Sequence, residues 1–420
     1  MAWAVQNNMY IDQYDLEGAY IHGYIDRLVY MQQPEGHLVP GQEHKVCRII
    51  RSLYGLKQSG RCWYTRFSQV MQKHGMVRSF TDSCVFIIKI NQHLGVVPIY
   101  VDDAPTMASS SEMRLFIKRV MTSEFKVRYV GPLSTLLGIE FKRFPDGSLE
   151  LSQTQYIKKI LTKYEMQDSN PAPTPLDPSI KLQKCMGASE REVEDMKAVP
   201  YRQAIGALMY IARATRYDIA YAVNALAQYG SRPEPGHWQA VKRIFRYLNG
   251  TLNHHLVYRK SENLLHLYAD ASLASDRDDR RSYSGVATFY GSCLVNWQAT
   301  KQKSVSFSTM ESEYRALGQA TKEALWVRSL LQELGSMSPH DPPIKIYTDS
   351  MSALAHANSR IENSRTKYID IACHFIREKI EDGSVELVYI STKYNLADIF
   401  TKPQQGPRHK MLMSKLNIFR

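Results

Sequence analysis

The sequence contains no run approaching the ~20 apolar residues of a membrane-spanning helix. Its opening, Met1-Ala2-Trp3-Ala4-Val5-Gln6-Asn7-Asn8, lacks the basic-then-apolar order of a secretory signal. The six cysteines, Cys47, Cys62, Cys84, Cys185, Cys293 and Cys373, are scattered and form no C-x-x-C pair. That excludes a disulfide framework or a zinc module and points to a reducing compartment. A Walker loop, a G-x-G-x-x-G fingerprint and an internal repeat of roughly 20–50 residues are also missing. These absences predict a soluble intracellular protein with no membrane partner.

What is present is globular in composition and biased in charge. The 420 residues are 44% hydrophobic and 22% charged, enough for two to four domains at roughly 100–200 residues each. Fifty-three Lys+Arg against 41 Asp+Glu give a net charge of +12. Residues 1–260 carry 33 basic against 23 acidic side chains, whereas residues 261–420 carry 20 against 18. A basic stretch joined to a near-neutral one fits a polyanionic partner for the first, or a basic surface without one.

Four prolines within Asn170–Ser179 predict a stiff extended linker, since no helix or central strand tolerates them. Before it, Val85–Ile90 and Val96–Val101 read as strands joined by a hairpin connection over Asn91–Gly95. After it, Trp238, Val241, Phe245 and Leu248 form one apolar stripe on a helix opened by Pro235 and closed by Gly250. Lys242, Arg243 and Arg246 of that helix fit either a solvated face or phosphate contacts. From Leu264 onward, strands alternate with a long helix from Thr309 and shorter helices, one over Ile369–Ile380, which indicates α/β architecture.

Carboxylates in this last region occupy chemically informative places. Asp270 and Asp349 end apolar strands, and Asp398 opens a short helix. On the long helix, Leu317, Ala320, Ala324, Val327, Leu331 and Leu334 define the buried stripe. Glu313, four residues before Leu317, continues that stripe inward. Glu311 lies off it and fits, with Ser308, the S-x-x-E capping box. Four inward carboxylates cannot all ionise together without cations, a need that Mg²⁺ meets. Two such ions can stabilise the attacking and leaving oxygens of phosphodiester hydrolysis.

In the N-terminal region, Tyr100-Val101-Asp102-Asp103 sets two carboxylates where an apolar strand meets a turn, and Asp15 follows the run Met9–Tyr14. Three carboxylates converging at strand ends suit two-metal nucleotidyl transfer.

Four stretches, Tyr268-Ala269-Asp270, Ser308–Tyr314, Tyr347-Thr348-Asp349-Ser350 and Ala397–Pro403, resemble, in order, the ribonuclease H domain of copia-type LTR retrotransposons. Asp15–Gly23, Val29–Gly36, Ser52–Ser59, Gly131–Glu140 and Gln155-Tyr156-Ile157 resemble the reverse transcriptase of the same family, and Tyr201–Leu248 its connection segment. The resemblance implies an α/β and α+β multidomain chain. Its parts would be a truncated right-hand polymerase palm and thumb (1–169), a proline-rich linker and helical connection (170–260), a ribonuclease H-like α/β domain (261–403) and a basic tail (404–420).

By motif match, Asp15, Asp102 and Asp103 would be the polymerase catalytic and metal-binding residues, and Asp270, Glu313, Asp349 and Asp398 those of the ribonuclease. Tyr20 maps to the gate against a ribose 2′-hydroxyl, and Gln58 to a position near template and incoming nucleotide. Lys57, Arg61, Trp63, Tyr64 and Arg66 interleave charge with aromatics in a manner suited to nucleic acid, although Trp63 and Tyr64 fit a core equally well. The implied cofactor is Mg²⁺, two ions per site, with Mn²⁺ as a substitute. The implied partners are template RNA or DNA with primer, deoxynucleoside triphosphates, RNA–DNA hybrid and other Pol and Gag products, within cytoplasmic virus-like particles.

Two departures bear on polymerase activity. Only fourteen residues precede Asp15, so the upstream fingers strands are expected to be missing. Ala104-Pro105-Thr106 stands where the returning hairpin strand belongs, and proline removes a ladder donor there. Weak or absent primer extension is the expectation, with a nucleic-acid-binding remnant lacking catalysis as the alternative. Tyr368 stands where the family more often has His, and His374 is read as structural.

Overall fold

The structure, a computed structural model, describes residues 1–261, 265–359 and 370–419. Its contacts form two compact units: Asn7–Leu137, and Met1–Gln6 with Gly138–Arg420.

The first unit is built on a six-stranded antiparallel sheet. Across it run Val77–Arg78, Val85–Ile90, His93–Pro98, Asp103–Ala108, Tyr10–Leu16 and Val127–Pro132. Helices Ser59–Lys73 and Ser111–Glu124 supply its apolar cover. Trp63, Phe67, Val70 and Met71 recur at helical spacing and bury against Phe86, Ile88 and Val97 of the sheet. Phe67 stacks on Phe125, with ring centroids 5.5 Å apart. Gly95 marks the closest approach of sheet and helix: a Cβ there would meet Met113 Sδ at 2.8 Å.

The hairpin joining Val85–Ile90 to His93–Pro98 is tighter than expected. Ile90 pairs with His93, leaving only Asn91 and Gln92 in the turn, and Asn91 supplies the positive φ of 55°. The returning strand also forms despite Pro105. Leu16 N–H donates to Asp102 O over 2.9 Å, so alternation puts Gln13 opposite Pro105 in a register that needs no bond from the proline nitrogen. On the other side, Ser109 N–H donates to Leu94 O, and pairing runs through Val96–Met107. The next hydrogen-bonded step would set Pro98 against Pro105, neither of which has an N–H, and the ladder ends there.

In the second unit, Ile139–Arg143, Leu149–Ser152, His255–Tyr258 and Ile418–Phe419 form consecutive antiparallel pairs. Helices Tyr201–Ala214, Ala220–Ala227 and Pro235–Asn249 follow the expected connection segment, and Pro235 and Gly250 bound the last as expected. The proline-rich segment, expected as a stiff extended linker, bends at 173–176 and packs along helix Pro235–Asn249. Ala172, Thr174, Pro175 and Leu176 are buried. Arg243 Nε donates to Thr174 O over 3.2 Å, and Arg246 Nε to Asn170 O over 2.7 Å. The cations of the helix therefore hold a strap, because a proline-rich chain leaves carbonyls unpaired and these donors reach them.

A mixed sheet completes this unit. Its order is Cys293–Lys301, Tyr283–Tyr290, Leu265–Ser272, Ile344–Thr348, Val385–Tyr389, with the first three antiparallel and the last two joined in parallel. The stripe from Leu317 to Leu334 on helix Thr309–Glu333 is buried throughout. Gly406–Lys415 is a helix that buries His409, Leu412 and Met413. No helix among the described residues is long and apolar enough to cross a membrane.

Candidate active site

In the first unit, Asp15 and Asp103 are direct neighbours across the antiparallel pair, and Asp102 sits in the turn before the second strand. Asp15 lies within its strand rather than after it. Tyr100 and Asp103 exchange backbone hydrogen bonds around Val101, whose φ of 56° makes the turn tight. Burial, then the charge of Asp102, raises the Asp103 carboxyl above its usual range. Asp15 is drawn aside: Arg128 Nη2 stands 3.0 Å from its Oδ2.

Tyr20, on the short helix Ala19–His22, packs its ring 4.6 Å from that of Tyr54. Tyr54 is a residue that the sequence reading passed over. Burial, then the nearby Asp102 charge, raises its hydroxyl pKa. Lys57 is exposed, and Gln58 precedes the first turn of helix Ser59–Lys73. Arg61 is ion-paired with Asp26, and Arg66 with Glu124. Trp63 belongs to the core: it is 3% exposed, and its indole N–H donates to Val101 O over 2.7 Å. Tyr64 donates to Ser83 O, so the two aromatics of this stretch serve the fold while Lys57 and Arg61 stay exposed.

The second unit gathers carboxylates more tightly. Strand Leu265–Ser272 presents Asp270, helix Thr309–Glu333 presents Glu313, and Asp349 follows the parallel strand Ile344–Thr348. Ligand atoms of these three lie within 4.8 Å of one another, the one such group of His, Cys, Asp or Glu among the described residues. Burial, then the charge of Asp398, pushes Asp270 up to about 7. Burial, then Asp270 and Asp349, pushes Glu313 up to about 9. Glu313 is 5% exposed, and its Oε2 has no hydrogen-bond partner among the described residues. An orphaned carboxylate oxygen beside two further carboxylates fits a hard divalent cation.

Glu311 behaves as the expected cap. Its own N–H is held by Ser308 Oγ, and its Oε2 accepts from Phe307 N–H over 2.8 Å.

Asp398 is beside this group but not within it. Gly285, directly opposite Asp270, lets the Asp398 segment approach: a Cβ there would meet Ala397 O at 2.6 Å. The carboxylate itself is occupied by Lys402, Gln404 and Arg408. Around the triad, Thr401 donates to Asp270, and Asn395 Nδ2 bridges Ala269 O at 2.9 Å and Asp349 Oδ1 at 3.2 Å. Thr401 and Asn395 carry no charge, and only their place beside Asp398 in the sequence could have marked them. Tyr368 lies outside the described residues, and His374 is exposed on helix Asp370–Glu381.

Residues 1–178 match the family described as reverse transcriptase (RNA-dependent DNA polymerase). The whole chain is 35% identical over 418 residues to the retrovirus-related Pol polyprotein from transposon TNT 1-94 of Nicotiana tabacum, which covers 99% of this chain and 31% of that protein. The chain belongs to the copia-type retrotransposon Pol family. A second relative, the Pol polyprotein from transposon RE1 of Arabidopsis thaliana, is 36% identical over 418 residues, 99% of this chain and 28% of that protein. The chain thus spans about a third of the length of the Pol polyproteins it matches. The foamy viral protease-reverse transcriptase, solved with double-stranded DNA, aligns over 93% of this chain and 70% of its own, at 13% identity and a TM-score of 0.44. That structural likeness adds nothing to the assignment. The expected mixed α/β architecture stands.

Proposed function

We propose that this Pol segment hydrolyses the RNA strand of an RNA–DNA hybrid at Asp270, Glu313 and Asp349, with Mg²⁺ as the cofactor and Mn²⁺ as a substitute. The observation carrying the proposal is the closed carboxylate group with its unpartnered, buried Glu313 oxygen. A divalent cation held there would polarise the scissile phosphate and supply a nucleophilic hydroxide near neutral pH. The protein's own part is orientation. Thr401 fixes Asp270, Asn395 ties Asp349 to the neighbouring strand, and the helix stripe holds Glu313 inward. The test is a hybrid with labelled RNA: the folded chain cleaves it with Mg²⁺ and stops when EDTA is added. No cleavage by a folded chain overturns the reading.

DNA synthesis from deoxynucleoside triphosphates at Asp15, Asp102 and Asp103, with Tyr20, Lys57, Gln58 and Arg61 near the substrate, belongs to the same proposal as a second activity. The ion pair of Arg128 with Asp15 favours weak incorporation, because that carboxylate must be released before it can serve a metal. Primer extension on poly(rA)/oligo(dT) is expected to be weak or absent in the native chain, and robust extension would refute this. The basic excess of residues 1–260 supports a nucleic-acid partner, whose strands it would attract from solution. If the chain were instead a binding remnant, Asp349→Asn would leave every measured activity unchanged. Assembly with other Pol and Gag products, in cytoplasmic particles, is part of the same reading.

A further inference from the structure

Asp398 differs in kind from its three neighbours. Its side chain is 3% exposed, yet both of its oxygens are engaged by the segment that follows it. Lys402 Nζ stands 2.5 Å from Oδ1, Gln404 Nε2 donates to Oδ2 over 3.1 Å, and Arg408 Nη2 lies 3.4 Å from Oδ2. Arg408 is anchored in turn, donating to Thr392 O over 2.8 Å and to Lys393 O. Neither Asp398 Oδ1 nor Glu313 Oε2 has a hydrogen-bond partner among the described residues, but a cation, Lys402, stands against Asp398 Oδ1.

The Lys402 ammonium acts beyond its ion pair. Its charge reaches Asp270, Glu313 and Asp349 as well. Burial opposes that charge, but Asp398 first, then Asp270 and Asp349, offset the penalty and hold the ammonium firmly protonated. Once a bound cation has ionised all four carboxylates, Lys402 and Arg408 leave two negative charges, the complement of one divalent ion rather than two. A second ion could use Asp398 only after Lys402 had left it.

We propose that Lys402 stands in for a second divalent cation, so that the site takes a single ion on Asp270, Glu313 and Asp349. The inference rests on the hydrolytic reading and deepens it. Lys402 is then a positioning residue: it neutralises Asp398 and limits how many ions the carboxylates accept.

The test counts ions on the full chain by Mn²⁺ titration, with free Mn²⁺ followed by electron paramagnetic resonance. Ions bound by the palm carboxylates contribute equally to every variant, so differences report this site. Asp349→Asn is expected to lose one bound Mn²⁺ and Lys402→Met to gain one, while Lys402→Arg keeps the native number. Lys402→Gln, with a polar side chain that guards against misfolding, is expected to gain the same ion. In parallel, Mg²⁺ should raise the melting temperature of Lys402→Met more than that of the native chain, since the variant lacks its built-in cation. A merely structural lysine would move stability but not ion number. The inference alone falls if both neutral variants bind the native number, or if Asp349→Asn loses two ions. If Asp349→Asn loses none, the hydrolytic reading falls and the inference with it.

Discussion

Glu313 is held neutral by its surroundings until a cation arrives, and this makes it separable from simple structural residues. Its carboxyl, raised to about 9, keeps its proton at pH 7 without metal. Glu313→Gln therefore preserves both shape and charge in the metal-free chain and should leave metal-free melting at pH 7 unchanged. Cleavage should fall about a hundredfold or more, because a metal ligand contributes several kcal/mol to the transition state. A melting curve and a hybrid-cleavage rate on one preparation check both parts. Glu313 was legible in the sequence because four-residue spacing to Leu317 places it on the buried stripe. The partners of Asp15 and Asp398 were not. Arg128 is 113 residues from Asp15, and only strand pairing brings them together. Lys402 lies four residues after Asp398, beyond the end of its short helix, and no spacing rule says that a lysine there will turn inward to a buried carboxylate.

At the scale of elements, the prolines show what a residue type does and does not dictate. Pro105 looked like a breaker of the returning strand, yet its nitrogen faces Pro98 at a ladder step that neither residue could complete. Pro105→Val should then shift unfolding free energy by no more than about 1 kcal/mol, since one donor at most is restored. Urea denaturation measures this, and a larger change would show that the proline strains the sheet. The run Asn170–Ser179, read as a stiff extended linker, bends at 173–176 and is tied to a helix, because proline content reports chain stiffness and not the donors that meet its carbonyls. Arg243 meets both Thr174 O and, at 3.3 Å, Asp177. Arg243→Ala should loosen the strap and bring faster proteolytic nicking within 170–180, at rates that the native chain does not show. The long helix was visible from the periodicity of its buried face, whereas Tyr283–Tyr290, buried at every position, has no such period. The two-residue turn at Asn91 was not visible, since its length depends on cross-strand register.

Across the whole molecule, contacts gather Asn7–Leu137 into one unit and Met1–Gln6 with Gly138–Arg420 into the other. The larger unit holds a buried polar network that the sequence did not announce. Arg216 Nη2 donates to Asp218 over 2.8 Å, Tyr247 donates to the same carboxylate over 2.6 Å, and His409 Nε2 lies 3.0 Å from the Tyr247 hydroxyl. Burial, opposed by Asp218, lowers His409 to about 4 from an ordinary 6.5. A histidine depressed in the folded state contributes stability that is fully present above its unfolded value and is lost as pH falls from about 6.5 toward 4. The loss should approach about 3 kcal/mol, and His409→Gln should flatten it in denaturation curves taken across that window.

The claim at the centre of the account is that one carboxylate group cuts RNA paired to DNA. The direct measurement compares cleavage of an RNA–DNA hybrid by the native chain and by folded Asp349→Asn, each with Mg²⁺. The account predicts cutting of the RNA strand by the native chain and essentially none by the variant. Equal rates from the two proteins would contradict it.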